Sequence, residues 1–285
     1  MIEKIWIFIF GSCIGSFLNV CIYRMPKEIS VIKPSSFCPK CNSSIKWYDN
    51  IPILGYFFLK GKCRNCKEKI SFRYPLVEFT TAVLFLSLYM KYEFIGPGFA
   101  INSVLLLNFL KFAFFFSLLI IVSLIDIDYR AIPVLLCFIG ISVGIVFSIY
   151  ESVEFIKNNA FFDMFSLPVV NSFKGLIFGF GFTYFFKFFG DVFLNLYLSL
   201  RKKESIEGEN ESLGLGDVDF IGMVGVFLGW KMAILTFFVA PFIALFYTLF
   251  ALIFKRSHVI PYLPYLSLAA LFCFIWGDKV LTLLH

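Results

Sequence analysis

Two short acidic motifs are the parts of this chain best suited to chemistry. The segment at 124–128 reads LIDID and closes a long apolar run, whereas the segment at 214–217 reads GLGD and opens another. Placing a carboxylate at the edge of a hydrocarbon segment costs free energy, so such a residue is first interpreted as a functional one. Two such groups on separate helices can share one proton and activate a water molecule. Asp126 and Asp217 are therefore candidate acid and base groups for hydrolysis.

Both aspartates also have an ordinary structural interpretation. Asp126 and its neighbour Asp128 can be carboxylates at a helix end that faces water. Asp217 is harder to explain in this way, because a helix from it to Trp230 spans only about 20 Å, less than the ~30 Å of the hydrocarbon core. Two flanking glycines would let irregular backbone line a wet cavity at that depth.

Four cysteines in a basic loop have the spacing of a metal site. Two C-x2-C knuckles, Cys38–Cys41 and Cys63–Cys66, are separated by 21 residues, close to the spacing of a zinc ribbon. Each knuckle places two thiolates on one turn, and two knuckles complete a closed tetrahedral S4 site. The alternative is a pair of disulfides or free thiols, and a reducing cytosol disfavours disulfides. We expect one structural zinc ion.

The remaining cysteines and histidines do not suggest a second metal site. The only histidines are His258 and His285, too few for a histidine-rich zinc hydrolase site. Four cysteines stand singly in apolar runs, where we expect small buried side chains: Cys13, Cys21, Cys137 and Cys273.

Other ionisable residues interrupt the apolar runs. Lys187 and Asp191 are four residues apart, so we expect them to pair on one helix face. Lys111 is expected either to snorkel or to line the bundle. Glu78 has three interpretations: an interfacial acid, a partner of the basic loop, or a site residue. The glycines of GFGFTYFF at 179–186 and of MVGVFLG at 223–229 are expected to serve close helix packing.

The composition indicates which kind of structure must hold these ionisable residues in place. Of the 285 residues, 60% are hydrophobic and 15% are charged, and the mean hydropathy is +0.87. A soluble protein of this length could not hide so much apolar surface. We therefore predict an all-α polytopic membrane protein. About eight transmembrane helices are expected, roughly at 5–23, 75–90, 101–125, 133–150, 175–200, 217–230, 232–254 and 262–284.

The distribution of charge predicts an orientation. The loop from Arg24 to Arg73 carries eleven Lys or Arg residues against three acids. If this loop is cytoplasmic, eight spans place 17 of the 25 basic residues on the inner side. The positive-inside rule then puts both termini outside and both aspartate motifs at the cytoplasmic face.

Together these residues resemble the type IV prepilin peptidases, bacterial membrane enzymes of pilus biogenesis and type II secretion. Six elements carry the resemblance in order: GSFLNV at 15–20 with Arg24, the cysteine knuckles around WYDNIP at 47–52, RYPLVE at 73–78, LIDID with Ile132 and Pro133, GLGD, and PYLPY at 261–265. A lone Gly-x-Gly-Asp is a weak signal, but six ordered elements are specific. In one departure, Asp219 stands where the family pattern leads us to expect lysine, which adds a negative charge near Asp217.

The resemblance implies a membrane aspartic endopeptidase with Asp126 and Asp217 as its catalytic pair. It would cut prepilins or pseudopilins after a short basic leader, on the cytoplasmic side of the inner membrane. Members with the four-cysteine loop also methylate the new N-terminal amine with S-adenosylmethionine. The chain has no Rossmann fingerprint, so the methyltransferase activity is predicted from the resemblance alone.

The resemblance also implies three parts and a set of partners. Residues 1–23 would be the first transmembrane helix, 24–74 a small cytoplasmic zinc-ribbon-like domain, and 75–285 the peptidase core. The expected partners are the pilin substrates and the lipid bilayer, with no nucleic acid.

Two rival functions are an ion-coupled transporter that uses the acids as proton relays and a non-enzymatic scaffold. The lack of matching halves with broken helices speaks against the transporter.

Overall fold

The computed structural model of the chain is built almost entirely of helices. It describes residues 2–96, 98, 100–130, 134–158, 163–201, 211–253 and 261–283. The α-helices of these residues are α1 (Ile2–Arg24), α2 (Leu54–Phe58), α3 (Arg73–Tyr92), α4 (Ser103–Tyr129), α5 (Val134–Asn158), α6 (Pro168–Arg201), α7 (Leu215–Leu228), α8 (Trp230–Ile253) and α9 (Leu263–Leu283). Extended backbone within this part of the chain pairs only at isolated bridges. The predicted all-α class is confirmed.

The eight long helices lie at the predicted apolar runs. Six of them, namely α1, α4, α5, α6, α8 and α9, are long and apolar enough to cross a membrane. The helix α7 has 14 residues, or about 21 Å, which is shorter than the hydrocarbon core. The helix α3 is long enough but more polar, with Glu78 among its first turns. That α3 and α7 also span the membrane stays a prediction.

Two helices are longer than the sequence predicted. The helix α5 continues to Asn158, and α6 already begins at Pro168. Polar residues such as Glu151 and Glu154 extend α5 beyond its apolar run, because they are good helix formers that need no hydrocarbon around them. Pro168 suits the first turn of α6, where its missing N–H costs no helical hydrogen bond.

The described chain divides into two compact units, Met1–Tyr129 (unit 1) and Arg130–His285 (unit 2). In unit 1, α1 packs along α3, and α4 packs against both. The closest approach is at Gly15, where a Cβ atom would lie 2.7 Å from the Cα of Glu78. Only glycine permits this distance. The contact brings the polar end of α1 directly onto the polar end of α3.

In unit 2, α7 packs against α5, α6 and α8. The backbones of Gly175 in α6 and Gly225 in α7 touch, so a Cβ on either residue would overlap the other. Gly179 similarly faces Gly222. The hydroxyl of Ser172 donates to the carbonyl of Val226 at 3.0 Å. The expected packing role is confirmed for Gly179 and Gly225, whereas it was wrong for Gly181 and Gly229, where an added Cβ would meet no neighbour in the described part of the chain. The close contacts hold α7 against the long helix α6.

The residues predicted for the helix interiors are mostly, but not all, buried. Cys21, Cys137 and Cys273 are buried as expected, whereas Cys13 is exposed. The prediction for Cys13 was wrong because this residue lies on the opposite face of α1 from Gly11 and Gly15, which contact α3. The side chain of Lys111 is only 7% exposed, so it lines the interior of unit 1. Ile132, Pro133, His258 and His285 lie outside the described residues.

The loop between α1 and α3 is ordered by its first residue. Arg24 is only 4% exposed, and its guanidinium donates to the carbonyls of Ser30 at 3.0 Å and Pro34 at 2.8 Å. A third bond reaches the carbonyl of Ser35. The arginine of the N-terminal motif therefore folds the start of the cysteine loop back over the end of α1.

Candidate active site and metal centre

The four cysteines of the loop come together as predicted. Their sulfur atoms all lie within 4.8 Å of one another. The Sγ atoms of Cys38 and Cys66 are 3.8 Å apart, and those of Cys41 and Cys63 are 4.0 Å apart. A tetrahedral site with Zn–S bonds of about 2.3 Å places its sulfurs about 3.8 Å apart. The cluster could hold a metal ion of that kind.

The two knuckles have the same local fold, which the shared C-x2-C spacing dictates. The N–H of Cys38 donates to the carbonyl of Ser43 at 3.0 Å, and that of Cys63 donates to Glu68 at 2.8 Å. The residue after each second cysteine, Asn42 or Lys67, has a positive φ of 55° or 60°. These matching turns aim two sulfurs of each knuckle to one side, where the two pairs meet.

The thiols of the cluster differ in acidity. A hydrogen bond with the Ser43 side chain lowers the pKa of Cys41 to about 6. At Cys66 a backbone hydrogen bond with Glu68 acts to lower the pKa, but desolvation and the neighbouring thiols raise it to about 11. Four sulfurs this close resist carrying four negative charges. A bound divalent cation would relieve that repulsion, so the donor set fits zinc.

An ion pair joins the metal centre to the rest of the loop. Arg64, inside the second knuckle, donates from Nε to one oxygen of Asp49 at 2.8 Å and from Nη2 to the other at 2.5 Å. This guanidinium holds the pKa of Asp49 below its usual range. Since Asp49 belongs to the turn Trp47–Asn50, the pair fixes that turn to the second knuckle.

We expect about one zinc ion per chain, as in a closed four-cysteine site. The measurement is metal analysis by mass spectrometry of protein purified without chelator. Replacing Cys38 with serine should abolish the metal, whereas Cys21→Ser, a buried cysteine outside the cluster, should leave it unchanged. Metal-free wild-type protein, or a disulfide between Cys38 and Cys41, would contradict the site.

Asp126 lies in unit 1, in the last turn of α4, and is only 6% exposed. Asp128, two residues later, has a different role: both of its oxygens accept from Nη1 of Arg73, at 2.5 and 2.6 Å. Arg73 also donates to the carbonyl of Leu124 at 3.2 Å. The arginine of the RYPLVE motif therefore binds the end of α4, and with it the turn that carries Asp126.

Asp217 lies in unit 2, in the first turn of α7, and is also 6% exposed. Its carboxylate accepts from the N–H of Gly214 at 3.2 Å, which closes the start of the helix. Gly214 has φ −69° and ψ 145°, the ordinary conformation of a residue before a helix. The expected irregular glycine backbone is therefore wrong. Asp219 is half-buried on the same turn.

A buried lysine fixes the segment that leads into α7. Lys187 of α6 is 7% exposed and pairs with Asp191 at 3.1 Å, as predicted. The sequence did not reveal its other contacts: Nζ also donates to Glu211 at 2.6 Å and to the carbonyl of Leu213 at 2.7 Å. The N–H of Ser212 donates to Asp191 at 2.7 Å. The chain is thus held at three successive residues just before the turn that carries Asp217.

Replacing Lys187 with methionine is expected to lower the turnover of an Asp217-dependent reaction about 10-fold or more, because misplacing a reacting group by a fraction of an ångström is costly. The Michaelis constant should change little. The control is Lys174→Met on the same helix, since Lys174 contacts Phe165 at the surface, where it donates to the carbonyl and lies over the ring. Equal turnover in the two variants would show that the Lys187 contacts do not position Asp217.

The structure shows one of the three interpretations of Glu78, a contact with the loop. Its Oε2 atom accepts from the N–H of Ile53 at 2.6 Å. The acid therefore binds the loop, but through the loop's backbone and not through a basic side chain. Ile53 has φ 63° and ψ −57°, a conformation that a β-branched residue rarely adopts. Sequence spacing carries no signal for a contact of this kind.

Comparisons with known proteins match both units. Residues 9–92 match a model described as the bacterial peptidase A24 N-terminal domain, and residues 113–249 match one described as the type IV leader peptidase family. The matched ranges contain the four cysteines, Asp126 and Asp217.

Curated relatives share the same printed name, prepilin leader peptidase/N-methyltransferase. The one from Klebsiella pneumoniae is 30% identical over 232 residues, which cover 79% of this chain and 85% of the relative. That from Bacillus subtilis (strain 168) is 28% identical over 281 residues, 97% of this chain and 95% of the relative. That from Myxococcus xanthus (strain DK1622) is 31% identical over 230 residues, 80% of this chain but only 56% of the relative. No solved structure matches the chain.

Proposed function

This chain belongs to the type IV leader peptidase family, and from that premise we propose that it is a bifunctional membrane enzyme. It cuts the leader from type IV prepilins or pseudopilins, and it methylates the N-terminal amine that cleavage exposes. The relatives' printed name joins the same two activities.

One observation carries the peptidase assignment. Asp126 and Asp217 are both 6% exposed, each in the terminal turn of a helix flanked by apolar sequence. Buried carboxylates in a membrane protein are expensive and are retained for function. Both also stand in the motifs that resemble the catalytic motifs of the family. We therefore assign them as the catalytic pair.

The proposed cleavage follows the chemistry of a carboxyl dyad. The ionised aspartate takes a proton from water, and the resulting hydroxide attacks the scissile carbonyl while the protonated aspartate donates to the carbonyl oxygen. The C–N bond then breaks, and the proton passes to the leaving amine. The roles belong to the pair, since a coupled dyad titrates as a unit.

The second reaction needs a methyl donor, and S-adenosylmethionine is the donor we propose. When bound, S-adenosylmethionine would supply an electrophilic methyl group: the amine nitrogen would bond to the methyl carbon as the bond from that carbon to the sulfonium sulfur broke, and the methylated amine would then lose a proton to water. The chain's part is to hold an uncharged amine against the donor and to keep water away. The four-cysteine loop, with structural zinc, belongs to this half of the activity.

The proposed topology follows from charge. Eleven basic residues between Arg24 and Arg73 favour a cytoplasmic loop in the bacterial inner membrane, with both termini outside. Under this topology the proposed parts are the first span at 1–23, the zinc loop at 24–74 and the peptidase core at 75–285. The basic prepilin leader would reach the enzyme from the cytoplasm.

The test is incubation of the purified full-length chain, in lipid nanodiscs, with a synthetic prepilin peptide and S-adenosylmethionine. Mass spectrometry reports cleavage and methyl addition separately. We expect a peptide cut after the leader and a methylated new N-terminus. An intact peptide in the presence of folded, zinc-loaded protein would overturn the peptidase assignment and leave the transporter and the scaffold as the functions to consider.

A further inference from the structure

We propose that the large cavity of unit 1, between the cysteine loop and the adjoining ends of α1 and α3, is the binding site for S-adenosylmethionine. This inference rests on the proposed methyltransferase function and adds to it a location. The chain has no Rossmann fingerprint, so the cofactor needs a pocket of another kind.

The size of the cavity fits a cofactor. Its volume is about 660 Å³, within the range of roughly 300–1,000 Å³ that small-molecule sites occupy. A neighbouring cavity of unit 1, beside Arg73 and Asp128, has only about 160 Å³. The larger cavity lies where the polar loop covers the two helix ends, so a water-soluble ligand can reach it without crossing hydrocarbon.

The chemistry of the lining matches the three parts of the cofactor. Glu78 supplies a carboxylate that would attract the positive charge of the sulfonium group. This attraction is strongest where the ligand displaces water. Lys46 and Lys69 supply cations for the carboxylate of the methionine moiety. Tyr56 and Tyr74 supply aromatic surface for the adenine ring. Charges of both signs beside aromatic rings suit a zwitterionic nucleoside better than they suit an acyl chain.

A strained loop segment contacts two residues that line the cavity, Glu78 and Asp49. Ile53 has a positive φ, and its N–H donates to Glu78. Gly55, two residues later, lies so close to the carbonyl of Asp49 that a Cβ would overlap it. Strained backbone bound by a half-buried acid is the kind of feature that persists at binding sites. Here it ties the loop to α3 beside the cavity.

The cavity is also connected to the metal centre. Cys38 and Cys63 both line it, and Arg64 holds the turn of Asp49 against the second knuckle. Loss of the metal would therefore deform the pocket. The geometry gives the four-cysteine loop a specific task, which is to build one wall of the cofactor site.

The experiment measures binding of S-adenosylmethionine to the full-length protein by isothermal titration calorimetry, together with cleavage of the prepilin peptide. Val20 lines the cavity from α1, so Val20→Trp fills it. This variant should lose affinity at least about 10-fold while cleavage stays within about 3-fold of wild type. The matched control is Ile9→Trp, on the same helix at a site that is 44% exposed, which should bind normally.

A second measurement on the wild-type protein does not depend on a variant that folds. Ultraviolet crosslinking of methyl-labelled S-adenosylmethionine should label peptides within 16–78, and excess S-adenosylhomocysteine should compete. Label confined to unit 2, or normal binding by Val20→Trp, would contradict the proposed location of the cofactor site but not the proposed methyltransferase activity. Wild-type enzyme that cleaves but neither binds nor transfers the methyl group would overturn the methyltransferase itself, and this inference with it.

Discussion

Replacing Asp126 or Asp217 with asparagine is expected to lower prepilin cleavage by about 10²–10⁴-fold, the usual contribution of general acid–base groups. Asparagine keeps the shape and most hydrogen bonds of aspartate but can neither take a proton from water nor carry the negative charge. Each single variant should therefore be as inactive as the double variant, because both carboxyls act on the same water. The measurement is the rate of leader cleavage, with folding checked by thermal unfolding and zinc content.

The matched control is Asp128→Asn, the same change two residues along α4. Asp128 is about one-third exposed and pairs with Arg73, and exposed pairs of this kind contribute only about 0–1 kcal/mol. Cleavage by this variant should stay within a few-fold of wild type. Near-normal cleavage by Asp126→Asn or Asp217→Asn would remove the dyad mechanism, and a loss in Asp128→Asn as large as theirs would show that the change acts through the structure of α4.

The parts of the fold that could be predicted from the sequence depend on local pattern. Apolar runs long enough for a membrane span located the eight long helices, because a helix is the simplest way to satisfy the backbone in hydrocarbon. The repeated C-x2-C spacing predicted the cysteine cluster, since each knuckle is a short turn that needs no distant contact. Lys187 and Asp191 were paired correctly for the same reason, being one helical turn apart.

The contacts that were missed join residues far apart in the chain. Lys187 reaches Glu211, 24 residues away, Glu78 reaches Ile53, 25 residues away, and Arg73 reaches Asp128, 55 residues away. Each depends on how two helices, or a helix and a loop, approach. That approach is decided by close contacts such as those of Gly15 and Gly175, and no spacing rule reports it. The cavity beneath the loop is a product of the same packing.

Serine in place of Cys38 or Cys63 is expected to separate the two activities. Serine cannot supply a thiolate, so the closed metal site is lost and the loop loses its metal-bound conformation. Methyl transfer should therefore fall at least roughly 10-fold. Peptide cleavage should fall by less than about 3-fold, because Asp126 and Asp217 lie on α4 and α7 and the helices pack without the loop. The matched control is Cys13→Ser, an exposed cysteine of α1 outside the cluster.

The two activities must be measured independently for this separation to be meaningful. Methyl transfer is followed with a synthetic peptide that already carries the mature N-terminus, so that slow cleavage cannot limit it, and cleavage is followed with the full prepilin peptide in the absence of methyl donor. If the loop builds the cofactor pocket, Cys38→Ser binds S-adenosylmethionine weakly and still cuts the peptide. An equal fall in both activities would instead make the loop a general stabiliser of the fold, because a cofactor pocket cannot affect a hydrolysis that uses only water and two aspartates.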